Sequence, residues 1–188
     1  MKKVALLGDS IRLIGYGTRV PELLGEEYEV FQPADNCRFV KYTLKGVFDW
    51  REQLKGCDAI HWNNGLWDTL FNLFDDGKTF TPESEYMENM LRVAAELQKL
   101  SSRVIFATTT PVRPDCKYND NEIIDRYNAL IVPELKKVGI EINDLNGLVK
   151  PHICEYIRAD DKMHLSEQGI EACAKQVVDC LKKESKFF

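Results

Sequence analysis

The sequence predicts an α/β fold: a three-layer α/β/α sandwich around a five-stranded parallel sheet. Three observations carry this expectation. Short apolar runs alternate with longer amphipathic stretches. Each connection between runs is long enough to hold a helix, as parallel strands require. The chain has 188 residues, 44% of them apolar, which suits one domain over 1–188 and, at this length, burial of ~70% of the unfolded surface.

The elements follow in order. Lys3 to Gly8 (KVALLG) reads as a strand buried on both faces. Tyr28 to Phe31 is a second, shorter strand, Ala59 to Asn63 a third, Arg103 to Thr108 a fourth and Ile140 to Asn143 a fifth. A helix is expected over about Pro82 to Leu100, with Thr81 as its cap, Pro82 in the first turn and Glu83 and Glu85 at the positive end. Met87, Met90, Leu91, Ala94 and Leu97 recur at three and four and give it one apolar face. A further helix spans about Asn121 to Val138. The last begins after Ser166 and carries Ile170, Cys173, Val177 and Leu181 on one side. In such sheets ligands bind outside the carboxyl ends of the strands. The chemistry is therefore sought just after residues 8, 63, 108 and 143, and before the last helix.

Charge excludes some partners. Lys and Arg number 25 against 30 Asp and Glu, a formal net charge of −5. No basic stripe is present, so no nucleic-acid grip is expected. No apolar run approaches the ~18 residues of a membrane span. The start, Met1-Lys2-Lys3 and then Val4 to Leu7, is too short an apolar stretch for a secretory signal. A cytoplasmic protein is expected. The six cysteines (37, 57, 116, 154, 173, 180) form no C-x-x-C pair and read as reduced thiols without zinc. Gly8, Gly15 and Gly17 fit neither dinucleotide nor P-loop spacing. The closing Lys182 to Lys186 reads as a solvated tail.

Gly8-Asp9-Ser10 follows the first strand and places a serine at the mouth of the sheet, at a helix start. Asp9 or Ser10 would also serve there simply as a cap. A serine nucleophile needs a base, and the chain has three histidines. His61 lies mid-strand and reads as a hydrogen-bonded core residue. His152 follows Pro151 in a loop. His164 closes Asp160-Asp161-Lys162-Met163-His164 ahead of the last helix. Asp161-x-x-His164 lets one turn set a carboxylate beside the ring, which fixes the tautomer and stabilises the imidazolium. A metal reading of Asp160, Asp161 and His164 lacks further ligands.

Taken together, Gly-Asp-Ser after strand one and Asp-x-x-His before the last helix resemble the first and last blocks of the SGNH hydrolases, the GDSL-type esterases and lipases. Thr108-Thr109-Thr110-Pro111-Val112, Arg126-Tyr127-Asn128 and Leu165-Ser166-Glu167-Gln168-Gly169 look like segments of the carbohydrate-esterase-like branch. The resemblance implies a flavodoxin-like sheet, Ser10 as nucleophile, His164 as base oriented by Asp161, and no metal or organic cofactor. It also implies an oxyanion hole, and here the sequence departs from the pattern. In the run Asp35-Asn36-Cys37-Arg38-Phe39, Arg38 holds the place of the usual glycine. In Gly65-Leu66-Trp67-Asp68, Trp67 holds the place of the usual asparagine.

The expected oxyanion donors are accordingly the N–H of Ser10, an N–H near Arg38, and the amide of Asn63 or Asn64, with Asn63 preferred. Asp9, Gly65 and Trp67 are expected to line the substrate site. The aromatic cluster Trp62, Trp67, Phe71 and Phe74 reads as loop packing or as a stacking surface. The implied activity is hydrolysis of short acyl esters, O-acetylated sugars first, on a small-molecule substrate. An acyltransferase with the same three residues and a catalytically silent binding module are the alternatives.

Overall fold

The computed structural model describes residues 1–183. Of the expected tail, residues 184–186 lie outside the described residues. Five strands form one sheet: β1 (Lys2–Leu7), β2 (Tyr28–Phe31), β3 (Ala59–Asn63), β4 (Val104–Ala107) and β5 (Glu141–Asn143). All neighbours run parallel, in the order β2-β1-β3-β4-β5. This is the flavodoxin-like doubly wound order. Its switch point lies where the chain passes from one side of β1 to the other.

The helices are α1 (Ser10–Leu13), α2 (Val20–Leu24), α3 (Val40–Asp49), α4 (Arg51–Leu54), α5 (Glu83–Gln98), α6 (Asn121–Lys137), α7 (Leu145–Val149), α8 (Ile153–Tyr156) and α9 (Glu167–Lys182). Two cores separate cleanly because side chains of β1 alternate between faces. Val4 and Leu6 pack with Ile11, Val20 and Leu24 and with Cys173, Ala174 and Val177 of α9. Ala5 and Leu7 pack on the other face with Val40 and Val47 of α3, Met90 and Val93 of α5 and Ile131 of α6. Full burial of each large aliphatic side chain contributes about 1.5–3 kcal/mol.

Two local expectations change. Thr81 is not the cap of α5; the cap position is Pro82, and the Thr81 hydroxyl donates instead to Asp68 Oδ1 at 2.8 Å. The helix expected at Ser10 is a single turn of four residues, too short to build a sizeable dipole. Ser166 does cap α9, accepting from the N–H of Gly169 at 3.1 Å.

Two asparagines on α6 explain the segment that follows β4. Asn121 and Asn128 lie two turns apart on one face. Each clamps a backbone amide with both side-chain atoms. Asn121 holds the N–H and C=O of Val112, and Asn128 holds those of Thr109. Thr109 in turn donates to the carbonyl of Asn64 at 2.8 Å. The loop after β4 thereby supports the loop after β3. Gly65 sits in that contact with φ 142°, and a Cβ there would meet Thr109 Oγ1 at 1.9 Å.

Candidate active site

Ser10 stands at the carboxyl end of β1, beside the switch point. The preceding turn is held by Asp9, whose Oδ1 accepts from the N–H of Ile11 at 2.9 Å and from Asn63 Nδ2 at 2.8 Å. Gly8 has no room for a side chain: a Cβ would lie 1.9 Å from Asn63 Oδ1.

The loop before α9 brings His164 to Ser10 across 154 positions of sequence. His164 Nε2 lies 2.8 Å from Ser10 Oγ, and His164 Nδ1 lies 3.1 Å from Asp161 Oδ2. Asp161 Oδ1 accepts from the N–H groups of Met163 at 3.0 Å and His164 at 2.9 Å. Lys162 takes a left-handed φ of 68° to close this turn. Partial burial pushes the Asp161 carboxyl up. The two N–H groups and the His164 ring outweigh it, so the net shift is downward and the group stays ionised at neutral pH. A serine hydroxyl bonded to an imidazole, whose far nitrogen meets a carboxylate, has the geometry for proton removal from the hydroxyl.

Arg113, which the sequence reading missed, fixes this loop. Its N–H donates to the carbonyl of Lys162 at 2.8 Å, and its Nε donates to that of Ile157 at 2.9 Å. Asp160 does not join the site. It pairs with Arg158, whose hydrogen bonds bring its carboxyl down to about 2. Among the described residues no three His, Cys, Asp or Glu side chains gather into a metal-holding set.

His61 and His152 stay apart from Ser10. His61 is buried in β3, 3.0 Å from Asn143 Nδ2 and edge-on to Tyr16. Burial, with the Arg103 charge, brings its imidazole down to about 3. His152 stacks on Tyr156 and lies 3.6 Å from Glu155.

Around Ser10 and His164 opens a cleft of ≈ 300 Å³, completed by Asn36, Leu66, Trp67, Leu70 and Met163. Its wall is mostly apolar. Trp67 is at the cleft, as expected; Asp9 and Gly65 are not. Asp9 is 1% exposed, with its Oδ1 bonded beneath the serine turn, and Gly65 is packed under the loop against Thr109. The aromatic cluster also divides. Trp62 is buried against Phe106, with ring centroids 4.9 Å apart, whereas Phe71 and Phe74 are exposed.

Of the expected oxyanion donors, neither Asn63 nor Asn64 lines the cleft. Both asparagine amides are buried and already bonded. Asn63 Nδ2 donates to Asp9 and Asn63 Oδ1 accepts from Tyr16. Asn64 Nδ2 donates to the carbonyl of Arg38 at 3.0 Å, and its Oδ1 accepts from the Trp62 indole. Arg38 does adopt the left-handed conformation a glycine would favour, with φ 48°. Its N–H, however, donates to Asn36 Oδ1 at 2.8 Å. Strand-end asparagines that look free in a sequence are here pins between loops.

A second missed residue organises the same region. Arg12 is 1% exposed, and its guanidinium donates to the carbonyls of Pro33, Gly8 and Asp35 at 2.8, 3.1 and 2.8 Å. It ties the loop after β2 to the serine turn. The only sequence signal is a charged residue at an apolar-periodic position of a helix start.

Comparison with known proteins agrees with the fold described above. No family model matches the chain. A GDSL esterase/lipase of Arabidopsis thaliana, CPRD49, is 28% identical over 116 residues, which are 54% of this chain and 45% of that protein. The match thus spans less than half the length of that relative. Among solved structures, the acetyl xylan esterase AlAXEase superposes with a TM-score of 0.77 at 19% identity, covering 95% of this chain and 99% of its own. Axe2, an acetylxylan esterase from Geobacillus stearothermophilus, gives 0.79 at 17% identity over 97% and 95%. The lipase/acylhydrolase of Enterococcus faecalis gives 0.76 at 20% identity over 98% and 100%. At these identities the structural matches establish the fold. The chain thus shares its fold with esterases and a lipase/acylhydrolase, and over about half its length its sequence is similar to a GDSL esterase/lipase.

Proposed function

We propose that the chain is a serine esterase that hydrolyses short acyl esters. The observation that carries this reading is the unbroken row Ser10 Oγ, His164 Nε2, His164 Nδ1, Asp161 Oδ2, with links of 2.8 and 3.1 Å. In the proposed reaction Ser10 Oγ attacks the ester carbonyl carbon while His164 Nε2 takes its proton. Asp161 accepts from His164 Nδ1–H and stabilises the imidazolium without itself taking the proton. Collapse of the tetrahedral intermediate expels the alcohol, which receives the proton from His164. Water then attacks the acyl-enzyme by the same route in reverse. The Ser10 N–H makes no other hydrogen bond in the serine turn and serves as one oxyanion donor.

O-acetylated sugars are the first substrate class to test. The support is that acetyl xylan esterases are among the folds most like this one, together with the exposed Trp67 ring at the cleft, which is suited to stacking on a sugar face. Among the described residues no helix is long and apolar enough to cross a membrane. Hydrolysis of p-nitrophenyl acetate and of acetylated xylo-oligosaccharides tests the reading. Ser10→Ala is expected to reduce turnover to background with the fold intact. Full turnover by Ser10→Ala would overturn it.

A further inference from the structure

Asn63 and Asn64 are buried, the Nδ2 of each is tied to a neighbouring loop, and neither lines the cleft, so the site calls for another donor for the oxygen that becomes negative in the tetrahedral intermediate. We propose that the side-chain amide of Asn36 is that donor. The inference rests on the esterase reading and adds a catalytic residue to it.

Three observations converge on Asn36. It lines the same cleft as Ser10 and His164. Its amide is oriented: Oδ1 accepts from the N–H of Arg38 at 2.8 Å. An N–H must face an oxygen, which fixes which end of the planar amide is which. Nδ2 then points away from Arg38, and among the described residues it has no hydrogen-bond partner. Lastly, three backbone donors of this loop are used. The Asn36 N–H goes to Asp35 Oδ1, the Cys37 N–H to the carbonyl of Gly8, and the Arg38 N–H to Asn36 itself.

Arg38 keeps the left-handed conformation, with φ 48°, and its N–H is spent on the Asn36 side chain. In this proposal the side-chain amide of Asn36, held in place by that backbone N–H, takes the donor role. Asn64, which donates to the carbonyl of Arg38, and Arg12, which donates to that of Asp35, brace the residues on either side of Asn36. An oriented, braced donor needs little reorganisation when charge develops, which is what makes such groups effective. When the carbonyl is attacked, its π electron pair moves onto oxygen. The Asn36 N–H stabilises that oxygen, and the pair returns when the alcohol leaves. No proton is transferred to or from Asn36.

Two variants separate donation from a structural role. Asn36→Ala removes both the donor and the acceptor for Arg38. Asn36→Asp keeps the acceptor and removes the donor. The donor role predicts that both lose ~10²-fold or more in kcat with KM changed by less than about threefold. The inhibition constant of a phenylboronic acid, a tetrahedral mimic, is expected to rise by about the same factor as kcat/KM falls. A merely structural role predicts that Asn36→Asp restores what Asn36→Ala loses. That result, or Asn36→Ala retaining kcat within about threefold of wild type, would overturn the proposal while leaving the esterase reading in place. Loss of kcat in Trp67→Phe with Asn36→Ala unaffected would give the role to the indole and also overturn it. A wild-type protein with no turnover on any ester would overturn the esterase reading and this inference together.

Discussion

Asp161 and Asn63 illustrate how single residues divide the work at this site. Asp161 is held ionised by the N–H groups of His164 and Met163 and by the His164 ring, against the upward push of partial burial. A carboxyl lowered in the folded state stabilises above its ordinary value, and that stabilisation is lost as pH falls through the folded value. Acid therefore loosens the His164 loop only below the usual carboxylate range. Asp161→Asn is expected to lower kcat by ~10²–10⁴-fold, since the ring loses both its tautomer control and its counter-charge; steady-state kinetics at pH 8 would check this. Asn63 acts differently. It joins Asp9 to Tyr16 beneath the serine turn. Asn63→Ala leaves a buried hydroxyl and a buried carboxylate oxygen short of partners, at about 1–3 kcal/mol. At roughly 2–4 °C per kcal/mol for a chain of this size, a thermal melt should show a clear drop in Tm. An unchanged Tm would refute the role of Asn63 as a pin.

At the scale of elements, Asp68 links three segments. Its Oδ1 accepts from the N–H of Val40, the first residue of α3, at 3.1 Å and from the Thr81 hydroxyl ahead of α5 at 2.8 Å. The cap position of α3 is Phe39, which offers no side-chain acceptor, so the cap comes from the loop after β3. Burial raises the Asp68 carboxyl to about 7, against the pull of those hydrogen bonds. A raised carboxyl stabilises the fold while protonated, and that contribution is lost as pH rises through the folded value. From the ordinary ~3.9 to about 7 the linkage is of order 4 kcal/mol. The Tm of the wild type is thus expected to fall between pH 5 and 8. Asp68→Asn, which keeps an acceptor and cannot ionise, should flatten that slope; an equal slope in both proteins would contradict the assignment. Apolar periodicity located α5, α6 and α9 to within a few residues, because a buried stripe must repeat every turn. It misassigned Thr81, because a hydroxyl before a helix has the same appearance whether it caps that helix or reaches a neighbouring loop.

Over the whole molecule, the sheet was readable because each strand is a short apolar run between helices, and parallel pairing buries both its faces. The Ser10–His164 pairing was also readable: the carboxyl ends of the strands limit where chemistry can occur, and Asp161-x-x-His164 provides a local carboxylate for the ring. The surroundings of the three asparagines were not readable in the same way. Asn36, Asn63 and Asn64 are the same residue type, and only the assembled structure buries Asn63 and Asn64 in contacts between segments while leaving Asn36 at the cleft. The bracing by Arg12 and Arg113 was hidden for a related reason, since backbone carbonyls carry no sequence signature. The central claim is that the fold assembles Ser10, His164 and Asp161 into one nucleophilic unit. The most direct test is labelling of the wild-type protein with a fluorophosphonate, followed by mapping of the modified residue by mass spectrometry. The account predicts a single adduct on Ser10, abolished in His164→Ala. An adduct on another residue, or an unlabelled Ser10 in a folded protein, would contradict it.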